Sequence, residues 1–324
     1  MAKGICIILV VLTHMQIVAD IPNRIDAMFC SFRMPLYYIL SGLFFSKYSG
    51  IGEFLIKKTN KLLIPFISFW ILNTIVLVAF NRIHSYAPFT RVFSENMFYG
   101  GAIWFLVSLF ICGLMFYLII ILSEHVKNKL FPIIIGSSIL GVIGFYLGKN
   151  EINLPFWIDS SLTAVPFYAF GYILRKHTNL LDNKPIIKID LPLSIVLLLF
   201  TFFFATKSAM VTNYMKSTTL VSFYLCGISG TLAVLFISKL LNYVPYISYY
   251  GRYSICILLT HQCLYKSIYF LIQTISGSTP SSWLRVLSFI ILMIAYLFII
   301  PFMIKYTPHI CAQKDVIKIN DNTN

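Results

Sequence analysis

The chemistry-bearing residues of this chain stand out because they occupy apolar surroundings. His14 closes the run Lys3-Gly-Ile-Cys-Ile-Ile-Leu-Val-Val-Leu-Thr-His14, where nothing local explains an imidazole. A titratable side chain within a span is costly and is a functional candidate by default, although a histidine satisfied by a neighbouring carbonyl is the bland alternative. Lys3 lies eleven residues earlier, almost three helical turns, so the two side chains share one face about 16 Å apart at 1.5 Å per residue. One face thereby offers a cation at a membrane surface and a base further in. That suits a long anionic donor, such as an acyl-coenzyme A, with its phosphates at the surface and its reactive end beside an acceptor hydroxyl.

Two further segments extend the set. Lys57-Lys58-Thr59-Asn60-Lys61-Leu-Leu-Ile-Pro65-Phe66 places Lys57 and Lys61 four apart, on the same side of a helix. They read either as topology-setting charge or as a phosphate clamp. Arg33-Met34-Pro35-Leu36-Tyr37-Tyr38-Ile39-Leu40-Ser41-Gly42 brings Arg33 into an apolar stretch. There it either snorkels outward or orients an acceptor and stabilises oxyanion charge. Pro35 and Gly42 permit a bend or a close helix approach. His261, followed by Gln262, is the second intramembrane imidazole. It is an acceptor-site candidate beside a structural alternative, since polar residues often join membrane helices. Tyr37 and Trp104 are candidates for stacking on a sugar ring, with packing as the ordinary role of such aromatics.

The elements that must carry these residues are membrane helices. Of 324 residues, 59% are hydrophobic and 11% charged, and the mean hydropathy is +0.84. Soluble domains carry roughly 25% charged residues. Apolar blocks of spanning length, without the short alternation of a barrel, predict an all-α polytopic integral membrane protein. The blocks fall at about 3–20, 27–46, 62–80, 101–122, 131–148, 160–174, 191–206, 217–238, 252–273 and 283–304, with the sixth and seventh short.

The net charge of +14 lies in the segments between these blocks. With ten spans, sixteen of the 25 basic residues fall on one face, which predicts both termini in the cytoplasm and gives nucleic acid no part. Seven dispersed cysteines read as packing residues, with no metal site. The first block lacks a cleavage site and is read as a true first span. There is no two-fold internal repeat and no appended soluble domain, so residues 1–324 are read as one membrane domain.

Taken in order, Lys-Gly-Ile…Val-Val-Leu-x-His, Phe-Arg-Met-Pro-Leu-Tyr-Tyr-x-Leu-Ser-Gly and the basic cluster leading into Leu-Ile-Pro resemble the acyltransferase family 3 membrane proteins. The fucose 4-O-acetylase-like branch of bacterial surface-polysaccharide pathways is the most similar. Fainter similarity continues in Ala102-Ile103-Trp104-Phe105-Leu106 and Gly251-Arg252-Tyr253-Ser254-Ile255…Leu259-Thr260-His261, so it spans nearly the whole chain. The resemblance implies transfer of an acyl group, usually acetyl from cytoplasmic acetyl-CoA, to a hydroxyl of an extracytoplasmic glycan or lipid-linked sugar. It also implies a multi-pass protein of the bacterial inner membrane.

By position, His14 matches the family's essential histidine, and Arg33 the arginine before Met-Pro. Lys3, Lys57 and Lys61 stand where arginines are common, and lysine binds phosphate as a point charge without arginine's fork. An acidic residue usually precedes Lys-Gly-Ile, whereas this chain reads Met-Ala-Lys. No carboxylate within the first two spans is placed to orient His14; Asp20, Asp26 and Asp159 lie at span edges. The rival reading is a transporter or flippase of glycan precursors, which shares the spans but predicts neither the Lys3/His14 face nor the clamp. An inactive scaffold of the same family is a third.

Overall fold

The computed structural model describes residues 1–17, 23–46, 48–79, 101–178 and 184–318. The span-edge carboxylate Asp20 and the basic residues Lys47, Arg82 and Arg91 of the charge reading lie outside them. The described residues form helices joined by turns and irregular segments, with no strand and one isolated antiparallel bridge between Ala209 and Tyr214. The α-helices are α1 (Ala2–His14), α2 (Asn23–Leu43), α3 (Ile51–Lys58), α4 (Ile64–Ala79), α5 (Trp104–Ser123), α6 (Leu130–Lys149), α7 (Ile158–His177), α8 (Ile187–Phe204), α9 (Leu220–Leu241), α10 (Pro245–Arg252), α11 (Ser254–Ser276) and α12 (Ser282–Tyr306). A π-helical turn, Thr59–Leu63, joins α3 to α4.

Among the described residues, six segments are long and apolar enough to cross a membrane: Gly101–Ser123, Leu130–Lys149, Ile187–Phe204, Leu220–Leu241, Ser254–Ser276 and Ser282–Tyr306. Their lipid-compatible surface is visible in exposed Ile139, Val196, Leu199, Phe298 and Phe302, side chains that water would not tolerate in such continuous array. The protein is therefore a multi-pass membrane protein. Several boundaries differ from the sequence expectation. The first block was expected to reach residue 20, but α1 stops at His14 and a turn follows. The sixth block, expected to be short, forms a 20-residue helix. The ninth starts later, at Ser254, because residues 245–252 form a separate short helix.

The chain divides into two compact units. Unit 1 comprises residues 1–10, 21–45 and 111–252; unit 2 comprises 11–20, 46–110 and 253–324. In unit 1, α2 packs on α7 and α9, α6 on α7, and α8 on α9. The α2–α7 crossing is a backbone contact. A Cβ added at Gly42 would lie 1.9 Å from the Tyr168 carbonyl oxygen, and one at Gly171 would lie 2.0 Å from that of Ile39. Small residues allow such an approach where lipid supplies no hydrophobic drive between helices. Below the crossing, Phe45 and Phe116 meet edge to face at 5.2 Å, and Phe116 lies 5.0 Å from the Tyr168 ring. Thr219 caps α9 by accepting the Ser222 amide.

An ion pair joins α8 to α9: Lys239 Nζ is 3.1 Å from Asp190 Oδ2, with the two side chains only 12% and 6% exposed. Asp190 Oδ2 also accepts the Ile186 amide at the start of α8, satisfying one of the orphan donors of a helix N-terminus. Removing one member of such a largely enclosed pair strands the other charge. Lys239→Ala should accordingly lower the thermal midpoint in detergent. Adding Asp190→Asn should restore most of the loss, and an unchanged midpoint in Lys239→Ala would show that the pair contributes nothing.

Unit 2 is organised around α4, α11 and α12. Tyr296 of α12 is fully buried and its hydroxyl lies 3.0 Å from Thr260 Oγ1 of α11. Gly277, in the left-handed region at φ 68°, ends α11 with its amide bonded to the Gln273 carbonyl. The seven cysteines are free thiols, five of them buried, as expected of packing residues.

Candidate functional site

The end of α1 is tied into unit 2 through its last carbonyls. Such groups have no partner within a helix and need an outside donor. The Tyr269 hydroxyl of α11 donates to the Met15 carbonyl at 2.7 Å, and Arg285 Nη1 of α12 donates to that of Gln16 at 3.3 Å. Gln16 itself turns the chain with φ 56°. These bonds hold His14, the last helical residue and a half-buried one, beside α11.

There it meets His261. The two imidazole centroids are 5.1 Å apart, with ring planes at 69°. His261 is fully buried. Its Nδ1 lies 2.9 Å from the Ile257 carbonyl and 3.0 Å from that of Leu258. Carbonyls only accept, so Nδ1 carries the proton and Nε2 of the neutral ring presents a lone pair. That Nε2 has no hydrogen-bond partner among the described residues. The adjacent Gln262 fixes the neighbouring turn. Gly101 has φ 56°, and a Cβ there would overlap Gln262 Oε1 at 1.5 Å. The turn leads directly into Trp104, which is 5% exposed and packs edge to face on Phe105.

The basic cluster lies elsewhere in unit 2, and each of its two outer lysines has a carboxylate. Lys57 is ion-paired with Glu53, one turn earlier on α3. Lys61, on the π turn, lies 2.9 Å from Asp315 Oδ1 and donates to the Ala312 carbonyl at 3.0 Å. Glu53 also accepts the Ser49 amide and hydroxyl. Lys57 first, and then Ser49, pull its carboxyl down to about 2, so it is ionised throughout the physiological range. Asn60 pins the segment after α12 to this turn. Its Oδ1 accepts the Val316 and Ile317 amides, both at 2.9 Å, and its Nδ2 donates to the Ile317 carbonyl at 2.8 Å. Asn60 is 1% exposed. π turns inside helices occur frequently at functional sites.

Lys3, Arg33 and Tyr37 belong to unit 1. Lys3 is exposed on the first turn of α1, its Nζ 4.9 Å from the centre of the Phe44 ring. The Arg33 carbonyl accepts the Cys6 thiol at 3.2 Å, and Tyr37 is 8% exposed. Within unit 2 the structure thus brings His14 and His261 together, and Lys57 and Lys61 onto consecutive turns. Glu53, Asn60 and Asp315 are the residues sequence reasoning passed over. Glu53 was legible as an i, i+4 partner of Lys57, whereas Asp315, 254 positions from Lys61, carried no local signal. Among the described residues no three His, Cys, Asp or Glu side chains converge as a metal site.

Among the described residues, then, a half-buried imidazole stands beside a fully buried one in a helical membrane protein. The model of an acyltransferase domain matches residues 1–304, and the chain belongs to that family, acyltransferase family 3. No curated protein and no solved structure matches it.

Proposed function

We propose that the chain is a membrane O-acyltransferase that moves an acyl group, acetyl in the first instance, from cytoplasmic acyl-CoA to a hydroxyl of a cell-surface polysaccharide or lipid-linked sugar. The observation that carries this is His14, half-buried at the end of α1 and next to a second imidazole, in a chain of the acyltransferase family. A neutral His14 takes the acceptor hydroxyl's proton as its oxygen attacks the thioester carbonyl. The tetrahedral intermediate expels the coenzyme A thiolate, which recovers the proton from His14.

Lys57 and Lys61 are the donor-phosphate residues of this proposal, and the family resemblance adds Lys3 to them. The resemblance also gives Arg33 the orientation of the acceptor or the developing oxyanion. Trp104, Tyr37 and His261 are the acceptor-side candidates of this proposal. The protein crosses the bacterial inner membrane about ten times with both termini inside, an arrangement that reporter fusions at the loops would test directly.

The decisive assay uses purified protein in vesicles with radiolabelled acetyl-CoA outside and lipid-linked sugar in the bilayer. O-acetylated sugar is the expected product. Movement of the lipid-linked sugar without acetyl-CoA, and with no acetylation, would instead make the protein a flippase.

Asp315 supplies an independent check on the donor side. It occupies Lys61 as a donor phosphate would, and an exposed pair of this kind is worth about 0.2–1 kcal/mol. Asp315→Asn is therefore expected to lower the KM for acetyl-CoA by up to about five-fold, whereas Lys61→Ala raises it. If neither variant moves that KM, Lys61 does not bind the donor.

A further inference from the structure

A histidine acting as a general base needs its second nitrogen held, because the ring otherwise exchanges tautomers and orientations. A carboxylate is the usual holder. In unit 2 the described carboxylates are Glu53 and Asp315, and each is engaged by a lysine of the basic cluster. Among the described residues, His261 is a titratable group placed directly against His14.

Three observations set what His261 can do. Its Nδ1 proton is committed to the Ile257 and Leu258 carbonyls. Its Nε2 is therefore an acceptor, is buried, and has no partner among the described residues. A buried acceptor left unmade costs about 1–3 kcal/mol, so its retention calls for a donor. Finally, the His14 ring is the neighbour, with a centroid separation of 5.1 Å. Two imidazoles joined by an N–H···N bond of about 3 Å have their centres about 5 Å apart. The observed centroid separation of 5.1 Å matches that of such a bond.

We infer that His261 is the positioning partner of His14: its Nε2 accepts the N–H of His14 and so leaves the other His14 nitrogen bare as the base. The inference rests on the acyl-transfer reading of His14. When His14 takes the hydroxyl proton, the resulting imidazolium keeps its first N–H on His261 Nε2. The positive charge is then held by a neutral, polarisable acceptor, and the proton passes on to the departing thiolate. His261 gains no proton and forms no covalent bond. A neutral partner also avoids placing an isolated carboxylate in the bilayer, where a charge is expensive.

Two substitutions separate this role from a purely structural one. Asparagine at 261 puts an amide N–H near the place of Nδ1, retaining the bonds to Ile257 and Leu258, but puts nothing at Nε2. Glutamine reaches the Nε2 place with a carbonyl acceptor and gives up the Nδ1 bonds. In the vesicle assay His261→Asn is expected to lower kcat by about 10- to 100-fold, the usual cost of losing a group that orients a functional imidazole, with the KM for acetyl-CoA unchanged. His261→Gln should keep kcat within about five-fold of wild type, since an acceptor remains for the His14 N–H.

The reverse order, with Asn active and Gln inactive, overturns the inference in favour of a helix-joining role. His14→Ala in the same assay separates the two levels. An active His14→Ala protein defeats the acyl-transfer reading itself. An inactive His14→Ala beside a fully active His261→Asn defeats only the pairing. Should both His261 variants unfold in detergent, nitrogen-15 spectra of the wild-type imidazoles decide the matter. Nδ1-protonated His261 with its Nε2 hydrogen-bonded to the His14 N–H supports the pairing, and a protonated Nε2 on His261 overturns it.

Discussion

His14→Ala is expected to reduce acyl transfer by about 10²- to 10⁴-fold, the contribution of a positioned general base, while the protein still inserts and folds. The expectation of a clean catalytic loss comes from where His14 stands. It is the last residue of α1, and this helix end is anchored through the carbonyls of Met15 and Gln16. Removing the ring leaves Tyr269 and Arg285 with their acceptors intact. The variant should therefore elute like wild type, melt at most modestly lower through loss of the donor to His261 Nε2, and bind acetyl-CoA with an unchanged dissociation constant. Turnover with lipid-linked sugar in vesicles, measured beside calorimetric donor binding, checks both halves. Wild-type turnover in His14→Ala would remove the general-base assignment. Loss of donor binding along with turnover would instead place His14 in the donor site.

Gly42→Leu is expected to abolish the assembly of unit 1, the largest structural effect foreseen here. Even a single methyl at Gly42 meets the Tyr168 carbonyl oxygen at 1.9 Å, and a methyl at Gly171 meets that of Ile39 at 2.0 Å. Both obstacles are backbone, which cannot rotate away as a side chain could. α2 and α7 would have to separate, opening the layer in which Phe45, Phe116 and Tyr168 interlock. Overpacking of ordinary cores costs about 1–3 kcal/mol, and a helix pair forced apart along its backbone should exceed that. Gly42→Ala is expected to be recovered with a clearly lowered melting temperature, and Gly42→Leu to aggregate in detergent. Gly52→Ala is the control: no atom lies within 4 Å of a Cβ there, so a change within about 0.5 kcal/mol is expected. Equal melting of all three variants would show that α2 and α7 do not touch as described.

Parts of both results were legible in the chain itself. Gly42 was already marked as a site of close packing because small residues in apolar helices have that use. His14 was marked because an imidazole at the end of an apolar run has no cheap explanation. Expected boundaries were less informative. Hydropathy counted a first span through residue 20, yet α1 ends at His14, and Gln16 two residues on is in the left-handed region. Arg24, Asp26 and Arg33 dilute the apolar character of α2, so a helix of ample length is not among the six segments that pass on length and composition together.

Composition and residue pattern determined, without any coordinates, that this protein is helical and inserted in a membrane, and the order of its motifs indicated its family. Those properties follow from local sums over sequence: transfer of apolar side chains out of water and short motifs read in place. The tertiary structure decided which charges are already matched and which nitrogen carries a proton. Lys61 meets Asp315 across 254 positions, and His14 meets His261 across 247. No periodicity encodes such pairs, because the distance between their members is set by helix packing rather than by chain spacing. The tautomer of His261 depends in addition on the Ile257 and Leu258 carbonyls, whose direction exists only once α11 has formed.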